Sequence, residues 1–276
     1  MKQPLASIII AIYNKFEFLE RVLAGLETQT IKDFEVILAD DGSSQDTIAA
    51  IEKYRQGSTL TIKHLWHEDV GFRKTIMLNR AVLAAESNYL IFVDGDCVPH
   101  PHYIEAHLRH RQAGVVLSGR RVNLSEQLTG WLTAERIRAG AIGAAFTLRT
   151  FMDSITGKTR DAEKGIYLSN KAFEALFPQK FKGLLGCNFS LYKEDLLDIN
   201  GFDERYLAPA VGEDTDPELR LRWAGKGFRS VKNYAIQYHL YHRKLQRPSV
   251  NADILAQVKE DKVAFTPFGI KKAAKS

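Results

Sequence analysis

Short apolar runs alternate with segments of helical periodicity over roughly the first hundred residues, and this alternation restricts the fold more than any other feature. Ser7–Tyr13 is a continuous, β-branched-rich run, the pattern of a parallel strand covered on both faces. Asn14 stands where a helix N-cap is expected, and Phe18, Leu19, Val22, Leu23 and Leu26 follow at helical spacing. Phe34–Ala39 predicts a second strand, closed by the turn-rich Asp40-Asp41-Gly42-Ser43-Ser44 with Asp46 as the next cap. Thr47–Tyr54 then predicts a helix, Thr59–Trp66 a strand, Arg73–Ala85 a helix, and Tyr89–Val93 a strand running into Asp94-Gly95-Asp96. Such a series predicts right-handed βαβ units and a mostly parallel sheet. Ligands of these sheets bind at the carboxyl ends of the strands. Tyr13-Asn14, Asp40-Asp41 and Asp94–Asp96 all fall there.

Beyond Pro101 the pattern loosens. Tyr103–Gln112 predicts a helix and Val115–Ser118 a strand. Trp131–Phe151 reads as one basic amphipathic helix, and Asp153–Lys164 as a polar, mobile loop. Gly212–Gly227 predicts a helix opening with acids, Phe228–His239 a strand, and Lys271–Ser276 a frayed basic tail. No break in composition marks a domain linker. With 276 residues, 45% hydrophobic and 26% charged, the chain is globular and large enough to bury a core without staples. Two cysteines cannot build a disulfide framework and point to a reduced, cytosolic compartment. A net charge of +5 is no nucleic-acid signature. No stretch approaches the roughly 20 apolar residues of a membrane span. Leu5–Tyr13 after Lys2 has the outline of a short signal core, but it runs into Asn14-Lys15 without a cleavage pattern and reads as a buried strand.

Four clusters carry chemistry. Asp94 and Asp96, one small residue apart at a strand end, can converge on a hard cation that leaves positions open for phosphate oxygens. A carboxylate of Asp40-Asp41 facing a pocket can accept the imide N–H of uracil. Gly212-Glu213-Asp214-Thr215-Asp216 holds more acids than a helix cap needs, and one can act as a general base. His239 and His242 would point to opposite faces of an extended segment, so at most one is expected to be a metal ligand unless the chain turns.

Taken together these residues resemble the family 2 glycosyltransferases. The resemblance runs from Ser7–Lys15 through Glu35–Ser44, Phe92–Pro99, Gly186-Cys187-Asn188-Phe189-Ser190 and Gly212–Asp216 to Arg220 and Gly227-Phe228. His67–Asp96 is especially similar to bacterial chondroitin polymerase-type transferases, and Gly212–His242 to a galactosyltransferase-like C-terminal segment. The resemblance implies an α/β, Rossmann-like GT-A fold: a mixed, mostly parallel sheet flanked by helices, in one domain with a helical acceptor-side insertion. It places a nucleotide-sugar half at 1–100, an acceptor half at 101–245, and an extension at 246–276. It implies a UDP-linked donor with Mn2+ or Mg2+, and a glycan or lipid-linked saccharide acceptor from cell-surface polysaccharide or lipopolysaccharide synthesis.

Carried over residue by residue, the resemblance sets Tyr13 beside the base, Asp40 on uracil with Asp41 as its alternate, and Arg73 near the diphosphate. Asp94 falls toward the ribose or sugar and Asp96 on the metal. His242 or His239 adds a further ligand, and Gly186 and Asn188 line the acceptor side. Asp214 becomes the base of an inverting transfer, with Glu213 beside it. Ala11 departs from the hydroxyl or proline of many relatives, and residues 125–185 match nothing in the pattern. A sugar nucleotidylyltransferase would need a glycine-rich loop where Ala11–Lys15 has none. A non-catalytic nucleotide-sugar- or carbohydrate-binding protein would not need Asp214 together with the Asp-Gly-Asp. Arg136, Arg138 and Arg149 among Trp131, Leu132, Ile137, Ile142, Phe146 and Phe151 fit a helix packed on the sheet, or else peripheral contact with an anionic membrane.

Overall fold

The computed structural model describes residues 3–168, 180–209, 211–243 and 250–272. Its core is a seven-stranded sheet in the order β3-β2-β1-β4-β8-β6-β9. The strands are β1 (Ala6–Ile12), β2 (Phe34–Asp40), β3 (Ile62–Trp66), β4 (Tyr89–Asp94), β6 (Val115–Ser118), β8 (Asn188–Tyr192) and β9 (Gly227–Ser230). β3, β2, β1 and β4 run parallel, and β8 enters antiparallel between β4 and β6. A three-stranded sheet, β5 (Cys97–Pro99), β10 (Ile236–His239) and β7 (Arg120–Asn123), stands beside it.

The continuous apolar run of β1 follows from its central place. Ile8 and Ile10 join one core with Leu19, Val22, Leu23 and Leu26 of α1 (Phe16–Glu27). Ile9 joins a second core, on the other face, with Met77, Leu78 and Ala81 of α3 (Lys74–Ala84). A period of two thus sends alternate residues into different cores, and both positions must be apolar. α2 (Gln45–Gly57) links β2 to β3. The register pairs Ile12 with Asp40 and Ala11 with Asp94, which brings three strand ends to one edge.

The first half therefore follows its sequence pattern, with two capping corrections. Asn14 does not cap α1: it has φ 56°, and its Oδ1 accepts from the Ser44 N–H at 2.9 Å, at the start of α2. Asp46 lies in the first turn of α2, and the N-cap position belongs to Ser44.

The second half departs more. α4 (Tyr103–His110) is as expected, but Trp131–Phe151 is no single helix. It is broken among α5 (Glu126–Trp131), α6 (Ala134–Arg138) and α7 (Ala144–Ile155), with Gly140 at φ 82° between the last two. Leu132, Ile137, Ile142 and Phe146 are core residues, and Arg136 and Arg149 stack on Trp131 at 4.8 and 4.4 Å. The apolar residues on which the membrane reading leaned mostly face inward, because they cover the first core. Asp153–Lys164 is not loose either. Arg160 pairs with Asn123, and buried Thr159 accepts from the Ser125 N–H at 3.0 Å.

Phe228–His239 divides into β9 and β10, in different sheets, at a turn where Asn233 takes φ 66°. After α8 (Lys193–Asp198) and α9 (Thr215–Trp223) comes α10 (Ala252–Asp261). The boundary expected at 245/246 and the tail beyond 272 lie outside the described residues. Residues 250–272 pack on the body, with Ile270 against the second core.

Candidate functional site

The shared strand edge opens into a cavity of about 620 Å³ lined by Tyr13, Asp41, Lys74, Asp94, Asp96 and His242, among others. Its first wall is the turn after β1. Asn14 and Lys15 both take positive φ, 56° and 53°, a conformation non-glycine residues hold only when their surroundings enforce it. Here the Asn14 N–H donates to Ser43 Oγ at 2.7 Å and its side chain grips Ser44. Tyr13 is left 54% exposed at the rim, its hydroxyl donating to Asp69 Oδ2 at 2.9 Å. That bond to a carboxylate raises the phenol's pKa.

The two aspartates after β2 part company. Asp40 is wholly buried, accepting from the Ser43 N–H and His64 Nε2 at 2.8 Å each. It closes the turn and does not line the cavity. Asp41 does line it, held by the Arg73 N–H at 2.8 Å and His67 Nε2 at 3.0 Å. Burial raises its pKa against the pull of those donors.

β4 delivers the acidic pair. The Gly95 N–H donates to Ala11 O at 2.9 Å, and a Cβ there would meet Ile12 Cγ2 at 2.9 Å. A side chain at the middle position would push Ile12 aside where the turn packs on β1. Asp94 Oδ1 accepts from Lys74 Nζ at 3.1 Å, while Asp96 Oδ2 faces His242 Nε2 at 3.2 Å and His239 Nε2 at 3.4 Å. Burial alone would raise the pKa of Asp96, but the two imidazoles outweigh it and hold the carboxyl well below its usual range. Both histidines reach Asp96 because β10 lies beside β5, with His239 opposite Cys97, and the chain then turns as the Leu240 N–H donates to Asp96 O at 2.9 Å. The expectation of opposite faces assumed an extended segment through position 242. Asp96, His239 and His242 offer ligand atoms within 4.8 Å of one another, and Asp94 is not in this group.

Beyond Asp94 the cavity adjoins a crevice lined by Lys74, Gly186, Glu213 and Asp214. The Gly186 N–H donates to Asp214 Oδ2 at 3.0 Å, and a Cβ on Gly186 would fall 1.9 Å from Asp214 Oδ1. Asp214 occupies the N-cap position of α9 but makes no side-chain cap bond. Burial pushes its carboxyl up to about 6 against the field of Lys74, with Glu213 adding to the rise. Lys74 shows the converse: burial opposes its charge, but Asp94, Glu213 and Asp214 raise its pKa well above the lysine value.

The edge thus gathers Tyr13, Asp41, Asp94, Asp96, His239, His242, Gly186, Glu213 and Asp214. Asp40, Arg73 and Asn188 line neither the cavity nor the crevice. The Arg73 guanidinium folds back on Phe72 O at 2.8 Å. Asn188 is wholly buried, donating to Arg120 O and Ala235 O at 3.0 Å each. Lys74 and Asp69 line the cavity without having been expected there. Lys74 sits one place past Arg73, and only the orientation of the first turn of α3 tells the two cations apart.

Comparisons with known proteins bear on the family and the fold. Residues 7–170 match the model of "Glycosyl transferase family 2", and residues 168–243 that of "N-terminal domain of galactosyltransferase". The chondroitin synthase of Escherichia coli is 28% identical over 84% of this chain and 34% of its own length. That of Pasteurella multocida is 31% identical over 84% of this chain and 24% of its own. The chain thus spans about a third or less of the length of these curated relatives. The mannosyltransferase PcManGT from Pyrobaculum calidifontis, solved with GDP-Man and Mn2+, shares the fold at a TM-score of 0.57 and 15% identity, over 88% of this chain and 59% of that one. S. aureus TarS 1-349 in complex with UDP matches at a TM-score of 0.55 and 18% identity, over 84% and 59%. The doubly covered parallel sheet, the acidic strand ends and a family match over more than half of the chain converge: this protein belongs to glycosyl transferase family 2.

Proposed function

We propose that this chain moves a sugar from a UDP-linked donor to a hydroxyl of a saccharide acceptor, inverting the anomeric carbon, in synthesis of a cell-surface glycan. The observation that carries the reading is the single strand edge on which Asp96 meets two imidazoles while Asp214 stands across the Lys74–Asp94 pair. Residues 1–100 form the donor half and 101–245 the acceptor half. Free, buried Cys97 and Cys187 accord with a reduced, cytosolic setting. No helix among the described residues is long and apolar enough to cross a membrane.

Asp96, His239 and His242 are the residues that would hold a divalent cation. One carboxylate with two imidazoles suits Mn2+ better than Mg2+, which prefers oxygen alone. His242 Nδ1 is engaged by Arg243 O at 2.8 Å, which leaves Nε2 toward the site. When bound, such a cation supplies Lewis-acid neutralisation of the departing diphosphate.

The chain's own groups do the rest. Tyr13 stacks on the uracil, and Asp41, in place of Asp40, accepts its imide N–H. Lys74 adds positive charge to the floor and ties Asp94 to Glu213. Asp214 takes the proton from the acceptor hydroxyl, whose oxygen attacks the anomeric carbon opposite the diphosphate.

The test is a panel of UDP-, GDP- and dTDP-sugars with Mn2+ or Mg2+, read by thermal shift and by nucleoside diphosphate release. A donor at a hundred times its Kd stabilises by about 2.7 kcal/mol, and Asp96→Asn is expected to abolish the metal-dependent part. Stabilisation without release of diphosphate in the presence of any acceptor would favour a binding protein instead.

A further inference from the structure

A second cleft of about 690 Å³, as large as the donor cavity, lies between α1, α2 and α6. Phe16 and Tyr54 form one wall, their ring centroids 6.2 Å apart at 69°. Arg138 closes the other, its Nε donating to Glu27 Oε2 at 2.8 Å and its NH2 to the Tyr54 hydroxyl at 3.2 Å. Tyr54 and Ser58 both donate to Glu27 Oε1, at 2.8 and 3.1 Å. α2 adds the small residues Ala50 and Gly57 to the lining, Gly57 at the exposed end of the helix. The donor cavity includes none of these residues; Phe18, on another side of α1, faces it instead.

The lining decides what could fill the cleft. Glu20 and Glu27 balance Lys53 and Arg138, so the formal charge of the lining is zero. A nucleotide or other phosphate needs surplus cations, and Arg138 is already shared by Glu27 and Glu20, at 2.8 and 3.8 Å. A lipid chain would have to lie against four charged side chains, Glu20, Glu27, Lys53 and Arg138. An uncharged sugar needs what is present: partly exposed aromatic side chains for its C–H surface, with carboxylate, hydroxyl and guanidinium groups for its hydroxyls. The mutual bonds of Glu27, Arg138, Tyr54 and Ser58 hold those groups in place before any ligand arrives, which lowers the ordering cost of binding.

We infer that this cleft is a second, non-catalytic saccharide site that holds a neutral stretch of oligosaccharide on the side of α1 facing away from the donor cavity. The assignment rests on the lining of the cleft and not on the transfer reaction.

Calorimetry and saturation-transfer NMR with maltohexaose and chitohexaose test it, each run with and without UDP and Mn2+. At least one hexasaccharide is expected to bind whether or not UDP is present. Tyr54→Ala removes a stacking ring, and about a tenfold fall in affinity is expected. Ala50→Phe leaves the ion pairs alone and fills the cleft one helical turn from Tyr54, and is expected to abolish binding. UDP affinity, unchanged in both variants, reports that the fold survives. Absence of binding by either sugar to the wild type overturns the inference, as does binding that neither variant weakens. Binding confined to a sulfated or phosphorylated oligosaccharide overturns the assignment to a neutral ligand.

Discussion

At the residue scale, Asp214 shows burial and charge pulling in opposite directions. The start of a helix favours an ionised carboxylate, yet burial outweighs it and lifts the pKa from 3.8 to about 6. A base must be deprotonated to act, so turnover is expected to fall as pH drops through about 6, on one acidic limb. The sign for stability is opposite. The folded state binds this proton more tightly than the unfolded chain does, so the charged form costs stability above about 6 and the loss is relieved as pH falls toward 3.8. Asp214→Asn should therefore keep or raise the urea midpoint at pH 7 while transfer falls by roughly 10²–10⁴. Retained turnover would shift the role to Glu213. Asp40 and Asp41 give a second contrast. Asp41→Asn is expected to weaken UDP by about 1–3 kcal/mol with stability little changed. Asp40→Ala leaves the Ser43 N–H and His64 without their partner and should lower stability by about 1–3 kcal/mol instead. Calorimetric UDP titration beside urea unfolding separates the two, and the reverse pattern would return the uracil contact to Asp40.

At the scale of elements, the site is assembled by close approaches that only glycine permits. A Cβ on Gly186 would lie 1.9 Å from Asp214 Oδ1. Gly186→Ala is thus expected to displace the carboxylate, lowering kcat at least about tenfold while UDP affinity, which we propose rests on Tyr13, Asp41 and Asp96, is kept. Equal losses in kcat and UDP affinity would mean that the whole edge had moved. How much of this was legible depended on distance along the chain. β1, β2 and β4 could be read because each strand announces itself by a local apolar run, and their polar ends follow directly. The candidate metal group was half legible. Asp96 belongs to a strand-end motif, but the convergence of His239 and His242 depends on β10 pairing with β5 across more than a hundred residues. Asp40 and Asp41 are adjacent and chemically identical, so only the register of the turn, with His64 arriving from β3, decides which one is buried. Trp131–Phe151 misled because helical periodicity survives two interruptions, and inward-facing residues on successive short helices imitate one amphipathic face.

At the scale of the whole molecule, the segment following the second sheet is part of the body that shapes the site. Buried Asn251 donates to Ala208 O at 2.7 Å and Val211 O at 2.9 Å, and its Oδ1 accepts from the Leu207 N–H at 3.1 Å. Those bonds anchor Leu207, Ala208 and Val211, near Pro209 of the cavity lining and ahead of Glu213 and Asp214 of the crevice. Thr266 donates to Asp203 at 3.0 Å, and Val263 O accepts from Arg220 at 2.7 Å, in a network where Asp203, Asp216 and Arg220 are each at most 3% exposed. Asn200 likewise donates to Thr266 O at 2.6 Å and Lys271 O at 2.9 Å. Ending the chain after residue 249 strips partners from three buried groups at once, Asn200, Asp203 and Arg220. Asn200 loses both acceptors of its amide, whereas Asp203 keeps Arg205 and Arg220 keeps Asp216. At about 1–3 kcal/mol for the one unsatisfied group, with the packing of Ile270 lost besides, the change is a sizeable part of the 5–15 kcal/mol that typically holds a domain together. The truncated chain is expected to unfold at markedly lower urea. Asn251→Ala is the finer probe: it leaves the Arg220 network whole, so stability should fall by only about 1–3 kcal/mol. Turnover should fall with it, because the stretch before Asp214 loses its anchor. Full turnover and an unchanged urea midpoint in both variants would show that 250–272 is an appendage and that residues up to 243 seat the base unaided.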